Sequence, residues 1–356
     1  MAYTTIDDPS AYFHSQLYTG DGASTNAITN DANAGDFQPD WIWIKRRDGA
    51  DNHHVFDTSR GITKELNTNG TGSEGSGTNL VKSSDTDGFT LGDNGGVNGS
   101  SETYVAWQWK ANGGTTTTND ASSTGVGTID SVYQANTTAG FSIVTHTGSG
   151  SAGNIAHGLG VAPEWVLTKN RSQAASWANY HVSVGNAYYL ELDTTDAKET
   201  ASSVWGDTTP SSTTFRVGGA NTKNNSSSDN FVSYCFTPIQ GYSKFGSFTG
   251  NGNADGPFVY TGFKPAWLMI KETVSGGGWG MWDNKRTPTN TMKIRLLANS
   301  NAADDTSNDN SVDFLSNGFK MRTTSGGFNQ NSTEIIYMAF AEHPFVSSKG
   351  VPTTAR

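Results

Sequence analysis

A pattern that returns three times constrains this chain more than any other feature. It is a proline with tryptophan two residues on and lysine six residues on: Pro39-Asp-Trp41-Ile-Trp-Ile-Lys45, Pro163-Glu-Trp165-Val-Leu-Thr-Lys169 and Pro265-Ala-Trp267-Leu-Met-Ile-Lys271. Upstream of each stands Thr-Gly-x-Gly, at 19–22, 147–150 and 249–252. Seventeen residues after each proline comes an aromatic, Phe56, Tyr180 or Trp282, followed by Asp57, His181 or Asp283. Later come Asp87-Gly88-Phe89, a degenerate Phe215-Arg-Val-Gly218 and Asn317-Gly318-Phe319. Each copy closes on an aromatic segment, aligned here as 104–107, 231–234 and 337–340. Several offsets agree without gaps, and such self-similarity marks tandem duplication.

Each copy is about 100 residues, the size of one β-sandwich domain. Trp41-Ile42-Trp43-Ile44 is apolar at successive positions, so both faces of that strand must be buried. Trp41, Trp165 and Trp267 open these strands and are expected in the core. Asn94-Gly95, Asn98-Gly99 and Asn317-Gly318 are dipeptides that favour type I′ hairpin turns. No amphipathic helix exceeds two turns, and the aromatics of 187–192 favour a strand. The expected fold is all-β: three tandem antiparallel β-sandwich (jelly-roll-like) domains from an internal triplication. The expected boundaries are 1–111 for the first repeat with an N-terminal arm, 140–241 for the second and 242–345 for the third. Residues 112–139, rich in Gly, Thr, Asn and Ser, read as an extended linker, and 346–356 as a C-terminal tail.

Composition narrows the function classes. The 42 glycines and the 16% of charged residues suggest looseness, but 11% aromatics is enough to build cores. A net charge of −10 without a basic stripe argues against nucleic acid as a partner. The single cysteine, Cys235, allows neither an intramolecular disulfide framework nor a cysteine zinc cluster. No apolar run approaches the ~18 residues of a membrane span, so no membrane insertion is expected. The start lacks the layout of a signal peptide, which suggests synthesis and assembly in a cytoplasm.

Few constellations carry chemistry. Neither a His-Glu-x-x-His pattern nor a Gly-x-Ser-x-Gly elbow occurs, so no catalytic residue, cofactor or metal is assigned. The pairs Asp57/Arg60 and Asp283/Arg286 suit either an anion or sugar clamp or a turn-stabilising ion pair, and the middle copy lacks both partners. Asp304, Asp305, Asp309 and Asp313 place hard oxygen ligands in one loop, as calcium requires, but without the EF-hand order; a solvated insertion is the plainer account. Trp177 and Trp279 each lie fourteen residues after the anchor proline, where the first copy has His53. They are candidates for exposed sugar-stacking platforms, or else cover the sandwich end.

The opening Met1-Ala-Tyr-Thr-Thr-Ile-Asp-Asp-Pro-Ser-Ala-Tyr-Phe13, the unit Gly241-Tyr-Ser-Lys-Phe-Gly-Ser-Phe-Thr-Gly-Asn-Gly252 and the closing Ala339-Phe-Ala-Glu-His-Pro-Phe345 resemble repeat-domain proteins of tailed bacteriophages, marine phages especially. The resemblance covers nearly the whole chain and is weakest in the middle copy. It implies a virion component and brings no established catalytic residues. The expectation is a non-catalytic virion structural protein, associated with the tail or tail fibre and contacting the host surface or neighbouring subunits. The alternative is a capsid decoration protein or head fibre that stabilises the shell or binds glycans weakly. A glycan-degrading enzyme ranks third. Expected partners are other virion proteins, a host cell-surface glycan, and further copies of the chain in a homo-oligomer, a trimer, because strands apolar on both faces need covering.

Overall fold

The two-faced strands of the repeated motif build three large antiparallel sheets. The computed structural model describes residues 2–31 and 35–353, apart from the side chain of Asn308; the end of the expected tail, 354–356, lies outside the described residues. The first part of the chain forms β1 (Phe13–Thr19), β2 (Asn26–Thr29), β3 (Trp41–Arg46), β4 (His53–Asp57), β5 (Lys64–Asn67), β6 (Gly75–Ser76), β7 (Val81–Asp85), β8 (Gly88–Leu91) and β9 (Thr103–Trp109). The middle forms β10 (Thr117–Asn119), β11 (Ser131–Asn136), β12 (Phe141–Thr147), β13 (Gly153–Ala156), β14 (Trp165–Asn170), β15 (Ala178–His181), β16 (Tyr188–Glu191), β17 (Glu199–Thr200), β18 (Thr214–Val217) and β19 (Asn230–Phe236). The last part forms β20 (Ser243–Thr249), β21 (Phe258–Tyr260), β22 (Phe263–Glu272), β23 (Gly280–Asp283), β24 (Leu296–Leu297), β25 (Val312–Leu315), β26 (Gly318–Met321) and β27 (Glu334–Pro344). The described helices are single turns of three or four residues, such as Gly95–Asn98 and Ser202–Trp205.

One strand order recurs in all three large sheets: β1-β9-β3-β4-β5-β6, then β12-β19-β14-β15-β16-β17, then β20-β27-β22-β23-β24. A small sheet covers the outer face of each: β2-β8-β7, β13-β18 and β21-β26-β25. Alternation along the motif strands explains the layering. Ile42 and Ile44 point outward into a core shared with Ile28, Phe89 and Leu91 of the small sheet. Trp41 and Trp43 point inward, and there they join Trp165, Leu167, Trp267 and Met269 in one central cluster that draws on all three sheets. Trp109, Phe236 and Phe340, each paired with an anchor tryptophan, meet at this centre with ring separations of 6.5, 5.6 and 5.6 Å. The edges of neighbouring sheets interlock in cyclic order: Trp41 packs on Phe141 at 5.9 Å, Trp165 on Phe245 at 6.0 Å, and Trp267 on Phe13 at 6.5 Å.

This arrangement alters several expectations. Strands apolar on both faces were expected to need partner chains, yet the other two sheets of the same chain cover them. The third closing segment is offset by two residues from its sequence alignment. Trp43 pairs with Trp107 and Leu167 with Tyr234, but Met269 pairs with Met338 rather than Phe340. An offset of two keeps the same face inward, so apolar patterning alone cannot detect it.

The stretch 112–139, expected as an extended linker, contains β10, the turn Ala121–Thr124 and β11, which extend the second large sheet beyond β12. Its Ser, Thr and Asn residues imitate a loop, whereas pairing of 131–136 with 141–146 of β12 makes that part a strand. Asn94-Gly95 and Asn98-Gly99 do not form hairpins. Asn94 caps the one-turn helix Gly95–Asn98 by accepting from Gly96 N at 2.8 Å, and buried Asn98 donates to Gly92 O at 2.8 Å. A hairpin does join β25 to β26, but its loop residues are Ser316 and Asn317 without positive φ, so it is not the expected type I′ turn, and Gly318 already belongs to the strand. Gly318 and its counterpart Gly88 are required by close approach, since a Cβ there would lie 2.1 Å from Val259 O and 2.0 Å from Ile28 O.

Candidate functional site

The three seams between large sheets concentrate the polar chemistry of the chain. At the seam of the first and second sheets, Trp177 donates its indole N–H to the Asn67 carbonyl at 2.8 Å. At the next seam Trp279 donates to the Glu191 carbonyl at 2.9 Å. Both indoles are fully buried, so neither offers a face to a sugar, and the stacking-platform expectation is corrected. Bulk burial of the ring and one satisfied N–H across a seam explain the residue type. His53 takes this position in the first sheet and accepts from Trp43 Nε1 at 2.9 Å through Nδ1. Burial and the nearby Lys45 ammonium hold its pKa well below the usual range, so it is neutral.

The motif lysines serve the same seams. Lys169 Nζ donates to Thr71 O of the first sheet's connection at 2.9 Å and to Ala175 O at 2.7 Å. Lys271 Nζ donates to Thr195 O at 3.2 Å and Glu272 O at 2.7 Å. Burial lowers Lys45, Lys169 and Lys271 to about 8.

The Asp-x-x-Arg pairs lie in the seams, closed to solvent. Asp57 accepts from Arg60 N at 2.8 Å, from Arg60 Nε, and from the Tyr234 hydroxyl of the second sheet at 2.7 Å. Arg60 continues to Glu74 at 3.1 Å, and Arg171 of the second sheet grips Glu74 at 2.7 and 3.0 Å. The seam of the third and first sheets repeats this. Asp283 accepts from Arg286 Nε at 2.5 Å and from Trp107 Nε1 at 3.1 Å; Arg286 reaches Asp304 at 2.9 Å, as does Arg47 of the first sheet. In the remaining seam the equivalent positions hold His181, Val184, Lys198 and Thr273. There His181 Nε2 meets the Tyr337 carbonyl at 3.2 Å, and Lys198 N donates to Thr273 O at 2.8 Å. The buried Asp–Arg pair is therefore replaced together with its partners, and Lys198 pairs instead with Glu334 at 3.2 Å, which explains how the middle copy dispenses with its Asp and Arg. These pairs are structural ties, not clamps open to an anion or sugar.

The acidic loop does not gather its carboxylates for calcium. Asp304 is held by Arg47 and Arg286, Asp305 by Arg295 at 2.5 Å, and Asp313 by Arg322 at 2.6 Å, while Asp309 is exposed. Among the described residues, Glu191, Asp196 and Glu199 are the one group of three acidic or histidine ligands within 4.8 Å of one another. Two of the three have other partners: Lys223 lies 3.3 Å from Glu191, and Tyr189 donates to Glu199 at 2.7 Å.

The seam of the third and first sheets also carries a surface cleft that no sequence motif marks. It has a volume of about 470 Å³ and a floor of Phe13, Ala266 and Ala341, with His14, Ser15, Asp31, Asn284 and Lys285 on its walls. A second cavity of about 520 Å³ shares Glu342 and His343 with it. Of the acids lining the first cleft, Asp31 pairs with Lys285 and Glu342 with Lys264 at 2.7 Å, while Asp8 accepts from Ser10 N at 3.0 Å. Burial and the Lys285 ammonium lower the His14 pKa, and its Nε2 lies 3.3 Å from Gln16 Oε1. Ser15 Oγ and Asn284 Oδ1 are buried with no hydrogen-bond partner among the described residues. An unpaired Ser15 is no activated nucleophile, because no base lies within hydrogen-bond reach. The arrangement offers recognition by hydrogen bonds above an apolar floor.

No curated protein matches the chain. One family spans nearly all of it, the one described as Domain of unknown function (DUF7483), which matches residues 8–344 and so takes in all three large sheets. The chain belongs to this family.

Proposed function

We propose that the chain is a non-catalytic structural protein of a bacteriophage virion, associated with the tail or tail fibre and contacting the host surface or neighbouring subunits. The observation that carries this is the ring of three like-ordered sheets around one aromatic core. In it, one chain builds the threefold shape that homotrimeric particle components build from three. We read the ring as an internal triplication, each large sheet with its small partner forming a jelly-roll-like sandwich. The unit of function is then a single chain, with the homotrimer replaced by three parts of one polypeptide. The likeness of the opening and closing segments to phage repeat-domain proteins supports the same reading.

A second reading, capsid decoration, is favoured by shape: a threefold unit whose parts share one core fits a threefold position on a shell better than a string of beads does. Glycan hydrolysis is disfavoured, since it needs two free carboxyl groups facing each other across a groove. In the cleft Asp31 and Glu342 are both bound to lysine, which leaves Asp8 as the one lining carboxyl group without a cationic partner among the described residues. Electron microscopy of particles carrying a tagged chain tests the assignment. Label on the tail is the expected result, label over the shell selects the decoration reading, and particles without label overturn both.

A further inference from the structure

The second large sheet shows how this fold covers the edge of a first strand. There β11 lies antiparallel on β12, with Phe141 opposite Asn136, Ile143 opposite Gln134 and Thr145 opposite Val132. Gln134 is fully buried and works across the seam. Its Nε2 donates to Thr58 Oγ1 at 2.9 Å and Ser59 Oγ at 3.0 Å in the first sheet, while its Oε1 accepts from Gly114 N at 2.7 Å.

In the first large sheet the equivalent edge, on β1, pairs with no strand among the described residues. Phe13 sits opposite Trp109 as Phe141 sits opposite Phe236, so Ser15 stands where Ile143 stands in β12. The bonds Lys110 N to Tyr12 O at 2.9 Å and Gly20 N to Glu102 O at 2.8 Å assign the even-numbered residues to the β9 ladder. In an antiparallel pair the alternate residues then turn their N–H and C=O outward, which gives Phe13, Ser15 and Leu17 to the free edge. Across this seam Asn284 and Lys285 follow Pro265 at the spacing at which Thr58 and Ser59 follow Pro39. Ser15 Oγ and Asn284 Oδ1, the groups around the place that Gln134 fills in the other seam, are both buried without partners among the described residues and line the cleft. The edge of β20 differs: the position of Ser15 is taken there by Phe245, which is packed on Trp165.

We propose that the free edge of β1 accepts an extended peptide of another polypeptide as one further antiparallel strand, with a carboxamide side chain opposite Ser15. Main-chain bonds to Phe13, Ser15 and the Leu17 N–H hold the strand, the Leu17 carbonyl being taken by Gln16 Nε2 at 2.8 Å; the carboxamide N–H donates to Asn284 Oδ1 and its oxygen accepts from Ser15 Oγ. Strand addition at a sheet edge draws affinity from main-chain bonds and selectivity from alternate side chains in this way. The proposal does not depend on where the chain resides.

The probe is a fluorescent peptide with the sequence of residues 129–138, added to the full chain. Saturable binding is expected, weakened at least tenfold when the Gln of the probe is replaced by Leu. It is also expected to weaken at least tenfold in Ser15→Pro, which deletes an outward N–H and leaves the β9 ladder intact. Hydrogen exchange on the unaltered chain should slow at Phe13, Ser15 and Leu17 when the probe binds, and this holds whether or not Ser15→Pro folds. Absence of saturable binding, slowing at 141–145 instead, indifference to the Gln replacement, or a dimer of the chain that occupies β1 in place of the peptide would each overturn the proposal.

Discussion

Replacing Arg60 with valine tests whether the seams are held by a matched charge network. The Asp57 and Arg60 side chains are both 0% exposed. Arg60 bonds Asp57, reaches Glu74 at 3.1 Å and donates to Val55 O at 3.2 Å. Arg60→Val leaves the Asp57 carboxyl group in the core with only the Tyr234 hydroxyl and the backbone N–H of residue 60. Removing one partner of a buried pair costs about 3–5 kcal/mol, because the survivor keeps its desolvation penalty. The seam of the second and third sheets does without a buried Asp–Arg pair, holding His181, Val184 and, by register, Met338 in those places, with Lys198 and Glu334 paired at its edge at 3.2 Å. Transplanting that set, as Asp57→His with Arg60→Val and Tyr234→Met, should therefore recover about 2 kcal/mol or more of the single-variant loss. Urea unfolding followed by tryptophan fluorescence measures each variant, and the cycle of single and combined changes isolates the coupling. Two results would refute the reasoning: a loss below about 1 kcal/mol for Arg60→Val, as for an exposed pair, or losses that simply add in the combined variant.

Trp177→Ala should cost about 3–5 kcal/mol by opening a cavity in the central core, and leave any glycan-array signal unchanged; loss of a signal without loss of stability would restore the sugar platform. Burial lowers His146, His157 and His181 to about 4. Their unfolded value is near 6.5, so the unfolded chain holds more protons between about pH 6.5 and 4, and stability falls as pH drops through that window, by at most about 3 kcal/mol for each. His54 opposes them: burial disfavours its charge, but Asp51 and Glu65 outweigh this and raise its pKa, so its contribution is lost as pH rises. A stability curve that is flat from pH 7 to 4, with His181→Gln matching the parent throughout, would count against buried neutral histidines. Burial raises the pKa of the Cys235 thiol, so a thiol reagent should react only at the rate of unfolding, and fast reaction in native buffer would contradict its placement.

Much of the fold was legible in residue order. The three Pro-x-Trp motifs located β3, β14 and β22, and their two-faced apolar pattern required cover on both sides. It did not show that the cover comes from the same chain, because patterning records that a face is buried, not against what. Trp177 and Trp279 look alike whether they tip a loop or cross a seam, since the partners of their N–H groups lie 110 and 88 residues away. The cleft left no trace in any motif. Ser15 and Asn284 acquire meaning only beside Gln134, whose segment 112–139 has the composition of a loop and becomes a strand by pairing with β12.

What residue order by itself determined is local: three motifs, their alternation, the all-β class and the lack of an acid–base constellation at recognisable spacing. Tertiary structure alone decided that three sheets share one core, that the buried Asp–Arg pairs of two seams are replaced with their partners at the third, and that the edge of β1 pairs with no strand among the described residues. The physical reason is distance along the chain. Strand alternation and turn chemistry act over a few residues, whereas the bonds that close the seams join groups up to 257 residues apart, and only folding brings them into the same low-dielectric space.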